Sequence, residues 1–171
     1  MSDKALCGLS ATIMPDNIKR KLKGTLDFDI SNQLTSSSGD GWIYAEPTVT
    51  HSSGDILGTT EDYLGPTTGA GAVATGDKIK WIVIKHTGTS DGNSSTTKGV
   101  VICLDAGTAA YNLGDGIFLG PNEIIAIKCP NTTIADLHGV TVNVVNGVPS
   151  SATSSGDNVR LIVSAILNNV A

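Results

Sequence analysis

Lys78-Ile-Lys-Trp-Ile-Val-Ile-Lys85, Gly99-Val-Val-Ile-Cys-Leu-Asp105, Gly116-Ile-Phe-Leu-Gly-Pro-Asn-Glu-Ile-Ile-Ala-Ile-Lys-Cys129 and Val159-Arg-Leu-Ile-Val-Ser-Ala-Ile-Leu167 decide the fold. Their inner positions are mostly β-branched or leucine, and glycine-rich turns separate them, which is the pattern of strands. The last run is apolar in both alternations: Leu161, Val163, Ala165 and Leu167 in one, Ile162 and Ile166 in the other. A strand of that kind is central in its sheet or covered by a partner chain. Trp81 reads as a core residue.

Outward from these runs the signal stays β. Residues 5–14 read as a first strand, and Pro15 to Lys23 as one helical turn or an extended segment. In Gly24-Thr-Leu-Asp-Phe-Asp-Ile30, Leu26, Phe28 and Ile30 alternate with Thr25, Asp27 and Asp29, the mark of a half-buried strand. Trp42 to Thr50 is another strand, with Pro47 demanding an edge or a bulge. Residues 52–77 read as a long surface loop, Ser90 to Thr96 as a hairpin-type loop and Thr108 to Gly116 as a connection. Gly120-Pro-Asn-Glu123 is a turn, Asn131 to His138 holds a short helical turn, and Gly147 to Asp157 is a polar loop. Eight or nine strands and no long helix predict an all-β protein, an antiparallel β-sandwich of jelly-roll-like form with an N-terminal arm or extension. The arm is placed at 1–23 and the single sandwich domain at 24–171.

Composition narrows the chemistry. The chain has 171 residues, 40% of them hydrophobic and only 16% charged, below the roughly 25% of an ordinary soluble domain. Polarity comes instead from 16 serines, 19 threonines and 20 glycines. A net charge of −5 makes general nucleic-acid binding an unsuitable role, because phosphate contacts need clustered cations. Lys19, Arg20, Lys21 and Lys23 form the one basic cluster, read as a solvated patch or an arm docking on an acidic neighbour. No apolar run approaches a membrane span and the first residues lack a signal-peptide pattern, so folding in a cytosol is expected.

Nothing in the sequence advertises catalysis. There is no G-x-S-x-G elbow and no P-loop, and the Gly-x-Gly pairs open no helix. His51, His86 and His138 are scattered and read as surface or capping residues. Cys103 and Cys129 read as small buried hydrophobes, with a disulfide between them open only if their strands face each other. Asp27 and Asp29 read as solvating carboxylates, and Asp91, Asn93 and Ser95 as a structural loop without the ligand set of a calcium site. The sequons Asn93-Ser-Ser and Asn131-Thr-Thr carry no meaning without a secretory route. No enzyme, metal or cofactor is expected. Trp42 and Tyr44 alternate onto one strand face and are the best residues for contacting a partner.

From Gly76 to Ala171 the order of the runs resembles small structural proteins of tailed bacteriophage particles. The resemblance rests on Gly76 to Thr89, Val100 to Asp105, Ile117 to Ile127, Ala135-Asp-Leu-His-Gly139 and the final Val-Arg-Leu-Ile-Val-Ser-Ala strand. It is closest in texture to the β-sandwiches of head decoration (cement) proteins and of some tail components. It implies a virion protein, made in the bacterial host's cytoplasm, that binds the outside of the major capsid protein lattice. It also implies a homo-oligomer, a trimer before a dimer, that stabilises the shell by binding the assembled state preferentially. Two other readings stay open: a tail, fibre or host-attachment module, and a carbohydrate-binding β-sandwich module.

Overall fold

The computed structural model describes residues 3–13, 20–30, 39–58, 73–105, 116–129 and 131–169, with side chains described from residue 41 to 168 of these. Among them are twelve strands: β1 (Asp3–Ile13), β2 (Arg20–Ile30), β3 (Gly39–Ala45), β4 (Thr48–Val49), β5 (Gly54–Asp55), β6 (Lys78–His86), β7 (Gly99–Cys103), β8 (Ile117–Leu119), β9 (Ile124–Lys128), β10 (His138–Val145), β11 (Val148–Ala152) and β12 (Val159–Asn169). A 3-10 turn spans Ile134–Asp136.

Two antiparallel five-stranded sheets face each other. The front sheet runs β3-β12-β6-β9 with β4 also on β12, and the back sheet runs β11-β10-β7-β8 with β5 on β10. The protein is therefore the all-β sandwich that the alternating runs predict. Residues from both sheets meet in one core, among them Ile43, Ile82, Ile84, Val163 and Leu167 from the front and Val100, Ile102 and Leu119 from the back. Each such fully buried side chain contributes about 1.5–3 kcal/mol.

β12 lies between β3 and β4 on one side and β6 on the other, the central position its double apolar alternation called for. Leu161, Val163 and Leu167 are fully buried, and Ala165 nearly so. The break at Pro47 separates β3 from β4, as a residue without an N–H requires. Pro121 and Asn122 form a turn closed by Glu123 N–H to the Gly120 carbonyl at 3.1 Å, with Asn122 at φ 67°. That is the left-handed position a type II turn imposes, and asparagine tolerates it.

Several expectations need correction. The strand expected over 24–30 begins at Arg20, so the 23/24 boundary falls inside β2. It pairs with β1 in a separate two-stranded sheet, from Asp3 opposite Ile30 to Ile13 opposite Arg20. Of the two alternatives for Pro15 to Lys23, Arg20 to Lys23 takes the extended one, because strand pairing continues through it; residues 15–19 lie outside the described residues. Gly147 to Asp157 is only partly loop: Asn146 and Gly147, both at positive φ, make a tight turn that sends β11 back along β10. The Ser90–Thr96 loop is closed as a small hairpin by the antiparallel Thr89–Ser95 bridge, but the strands on either side of it, β6 and β7, belong to different sheets. In the 52–77 segment, Ile56 and Leu57 are buried in the core, since Ile56 N–H bonds the Leu137 carbonyl at 2.9 Å and fixes that stretch against the back sheet. The predicted connection over Thr108 to Gly116 lies almost wholly outside the described residues, as do residues 59–72.

Trp81 is not a core residue. Ile79 and Ile82 are both buried, yet three positions separate them, which a regular strand would place on opposite faces. The register between β6 and β12 shifts at this point: Ile166 pairs with Trp81 but Leu167 with Ile79. This bulge accommodates Lys80, lets both isoleucines point inward and turns Trp81 to the outside.

Candidate surface for partner binding

The outer face of the front sheet carries a group of part-exposed apolar and aromatic side chains. The registers place Trp42, Ile166, Trp81 and Lys128 in one row across β3, β12, β6 and β9. The next row holds Tyr44, Ser164, Val83 and Ala126, and a third holds Ile162, Lys85 and Ile124. Ile166 is buried between the two tryptophan positions, at 3% exposure, although it belongs to the outer alternation. Trp42, Tyr44, Trp81, Val83 and Ile162 are part-exposed. Ile124 is 62% exposed on the edge strand β9.

The polar margin of this face is held by its own contacts. The Tyr44 hydroxyl donates to Glu46 Oε1 at 3.0 Å, and Arg160 Nη2 lies 3.3 Å from Glu46 Oε2. Partial desolvation, then the hydrogen bond to Glu46 and its charge, push the Tyr44 phenol above its ordinary value. An exposed ion pair of this kind contributes about 0–1 kcal/mol, so it orients Tyr44 more than it stabilises the fold.

Of the residues singled out from sequence, Trp42 and Tyr44 do share this face. Arg20, Lys21 and Lys23 are in β2, where only the backbone is described, and Lys19 lies outside the described residues. Trp81, Ile124 and Ile162 were missed as surface residues, and Ile166 as a buried member of the same face. The signal for the two β12 positions was present in the sequence, since that strand is apolar in both alternations.

The remaining polar groups serve the fold. His86 is fully buried rather than on the surface: its Nδ1 accepts the Gly88 N–H at 2.9 Å and its Nε2 donates to the Lys98 carbonyl at 3.0 Å. Burial is the main reason its pKa falls below the ordinary imidazole value. His138 Nε2 lies 2.7 Å from Asp55, pinning β5 beside β10. Asp91 Oδ1 accepts the N–H groups of Ser94 and Asn93 at 2.7 and 2.8 Å, and these bonds hold its carboxyl below the ordinary value. That is an Asx turn, the structural loop expected there.

Cys103 and Cys129 are both free, Cys103 ending β7 of the back sheet and Cys129 just after β9 of the front sheet; Cys129 is buried, whereas Cys103 is only half-buried. Burial raises the Cys129 thiol, which leaves it a poor nucleophile. A cavity of about 290 Å³ is lined by Leu104, Asp105, Asn131, Thr132 and Asp136. Its donors and acceptors are largely engaged: Asp136 Oδ2 accepts from the Thr133 hydroxyl at 2.7 Å, and Asn131 Oδ1 accepts from Lys78 at 2.5 Å. Among the described residues, no three His, Cys, Asp or Glu side chains gather as a metal site would require, and no helix is long and apolar enough to cross a membrane.

No protein-family model matches this chain, and no curated protein sequence matches it.

Proposed function

We propose that this chain is a structural protein of a tailed-bacteriophage particle, of the decoration type, which attaches to the outside of the capsid lattice and stabilises the shell. The observation that carries the reading is the apolar face on which Trp42, Trp81, Val83 and Ile162 are part-exposed and Ile124 is exposed, beside polar groups that hold turns and strands together. Such a face suits adhesion: large side chains displace water over a broad area, and several copies on a lattice add avidity without any single strong contact. A ligand that binds only the assembled state stabilises that state by mass action.

The test is the heat or denaturant stability of shells prepared with and without the protein. A rise in the shell's transition on adding the chain is expected; equal stability removes the reading. Labelling on particles, seen by microscopy, separates a head location from a tail, fibre or host-attachment one.

A second reading is favoured by one specific feature. Trp42, Tyr44 and Trp81 occupy neighbouring rows of a single face, and aromatic platforms on β-sandwiches stack on sugar rings. A carbohydrate-binding module would quench or shift tryptophan fluorescence with a defined glycan, and a glycan array without a binder removes it.

A further inference from the structure

Asn146 is the only asparagine in the chain that a glycine follows. The pair makes the turn between β10 and β11, with Asn146 at φ 52° and Gly147 at φ 77°, the positive values a type I′ turn requires. Both residues are exposed, and so are Val145 and Val148, the register pair that closes the turn. Among the described residues, no hydrogen bond engages the Asn146 side chain or the Gly147 N–H. The side-chain amide and the nitrogen of the next residue are therefore both open to water.

The strand behind this turn gives it little support. β11 ends the back sheet beside β10, every residue of it except Pro149 is exposed, and its register with β10 shifts between Asn143 and Val144. A hairpin with so few buried contacts opens locally at small cost, while the core strands stay closed.

We propose that Asn146-Gly147 is a self-modification site, at which the side-chain amide is lost through a cyclic imide and β11 is loosened. The Gly147 nitrogen attacks Asn146 Cγ. A new N–Cγ bond forms, the Cγ–Nδ2 bond breaks, and Nδ2 leaves as ammonia with the proton from the Gly147 N–H. Glycine suits this step because no side chain crowds its nitrogen. Water then opens the imide. Cleavage at Cγ leaves aspartate in an ordinary backbone; cleavage at the main-chain carbonyl carbon leaves isoaspartate, whose backbone runs through the former side chain. Either product makes the chain one charge more negative than its present −5. Isoaspartate also lengthens the backbone of a turn whose geometry is fixed by its two central residues, so Val145 and Val148 no longer meet in register.

The chain holds its own control. Asn93 is exposed too, but the nitrogen that would attack it, that of Ser94, donates to Asp91 Oδ1 at 2.7 Å. The Ser94 hydroxyl donates to Asp91 Oδ2 at 3.1 Å, and the Gly92 N–H donates to Thr89 Oγ1 at 3.1 Å, so that loop is tied at several points.

The full-length protein, kept folded at mildly alkaline pH, tests the proposal. Digestion at acid pH and fragment-ion mass spectrometry are expected to show a gain of about 1 Da at Asn146, water gained for ammonia lost, about tenfold or more faster than at Asn93. An acidic species is expected on ion exchange, and an isoaspartyl methyltransferase is expected to label it. Asn146→Gly keeps a residue suited to positive φ and is expected to abolish both signals. An Asn146 that stays intact overturns the proposal, as does one that changes no faster than Asn93, or an undiminished label in the variant. Hydrogen exchange in the acidic species is expected to quicken over Val148–Ala152 and to stay unchanged in β12; unaltered exchange over Val148–Ala152 overturns the loosening of β11.

Discussion

The Nε2–H of His86 donates to the carbonyl oxygen of Lys98 at 3.0 Å, joining the last residue of β6 to the segment that leads into β7. The bond links the front sheet to the back sheet from within. Burial lowers the His86 pKa, while the Lys98 bond and the charge of Glu123 oppose that fall. A base with a depressed folded pKa contributes stability that is complete above its unfolded value, about 6.5, and is lost as pH falls below it, because the unfolded chain takes the proton first. The unfolding free energy from denaturant melts is expected to fall as pH drops below about 6.5, by up to about 1.4 kcal/mol per pH unit. The His86→Asn variant, compared with the wild type over that range, should show a shallower slope. An unchanged slope would sink the assignment.

Gly99 has no room for a side chain. A Cβ there would sit 2.5 Å from the Phe118 ring and 3.0 Å from Val144. Gly99→Ala is expected to cost about 1–3 kcal/mol by overpacking. Phe118→Leu should relieve much of the alanine's cost, so a double-mutant cycle of thermal melts is expected to show coupling.

The two alternations of β12 should respond differently to truncation. Leu161 is fully buried in the core, so Leu161→Ala is expected to cost about 2–5 kcal/mol in urea unfolding. Ile162→Ala, on the part-exposed outer alternation, should cost well under half as much. Equal costs would mean that the outer face is as enclosed as the core.

On the proposed function, Trp81→Ala should weaken attachment to shells by tenfold or more, because buried aromatic anchors dominate such interfaces with about 2 kcal/mol or more each. The same substitution lies outside the core and should leave cooperative unfolding intact. Co-sedimentation of the variant with shells measures the first effect and circular dichroism the second. Wild-type attachment by the variant would remove this face from the binding surface.

Much of the fold was readable because β-branched alternation and turn chemistry coincide. β12 announced its central place through Ile162 and Ile166 as well as Leu161 and Leu167, and Pro121-Asn122 announced its turn. The misreadings have physical causes. Trp81 looked internal because a regular period of two ignores the bulge at Lys80, which only the spacing of Ile79 and Ile82 betrays. Val148–Ala152 looked like loop because its serines and Pro149 are polar or poor in donors, whereas its pairing with β10 comes from the Asn146-Gly147 turn. His86 looked superficial because nothing local to it in sequence identifies the carbonyl of Lys98 as its acceptor. The aromatic pair Trp42 and Tyr44 was legible from alternation within one strand. The full face was not, since its rows join β3, β12, β6 and β9 across long stretches of chain.

The placement of β12 also governs how this protein comes to fold. Residues 163–169 pair with 39–45 on one flank, while 161–168 pair with 78–86 on the other. On the ribosome, β3, β4 and β6 must wait with unsatisfied edges until the strand that separates them has been synthesised. Closure of such distant pairings is slow, and the waiting edges invite association with other nascent chains. Expression yield should therefore depend on chaperone supply and growth temperature more steeply than the finished protein's stability alone would suggest.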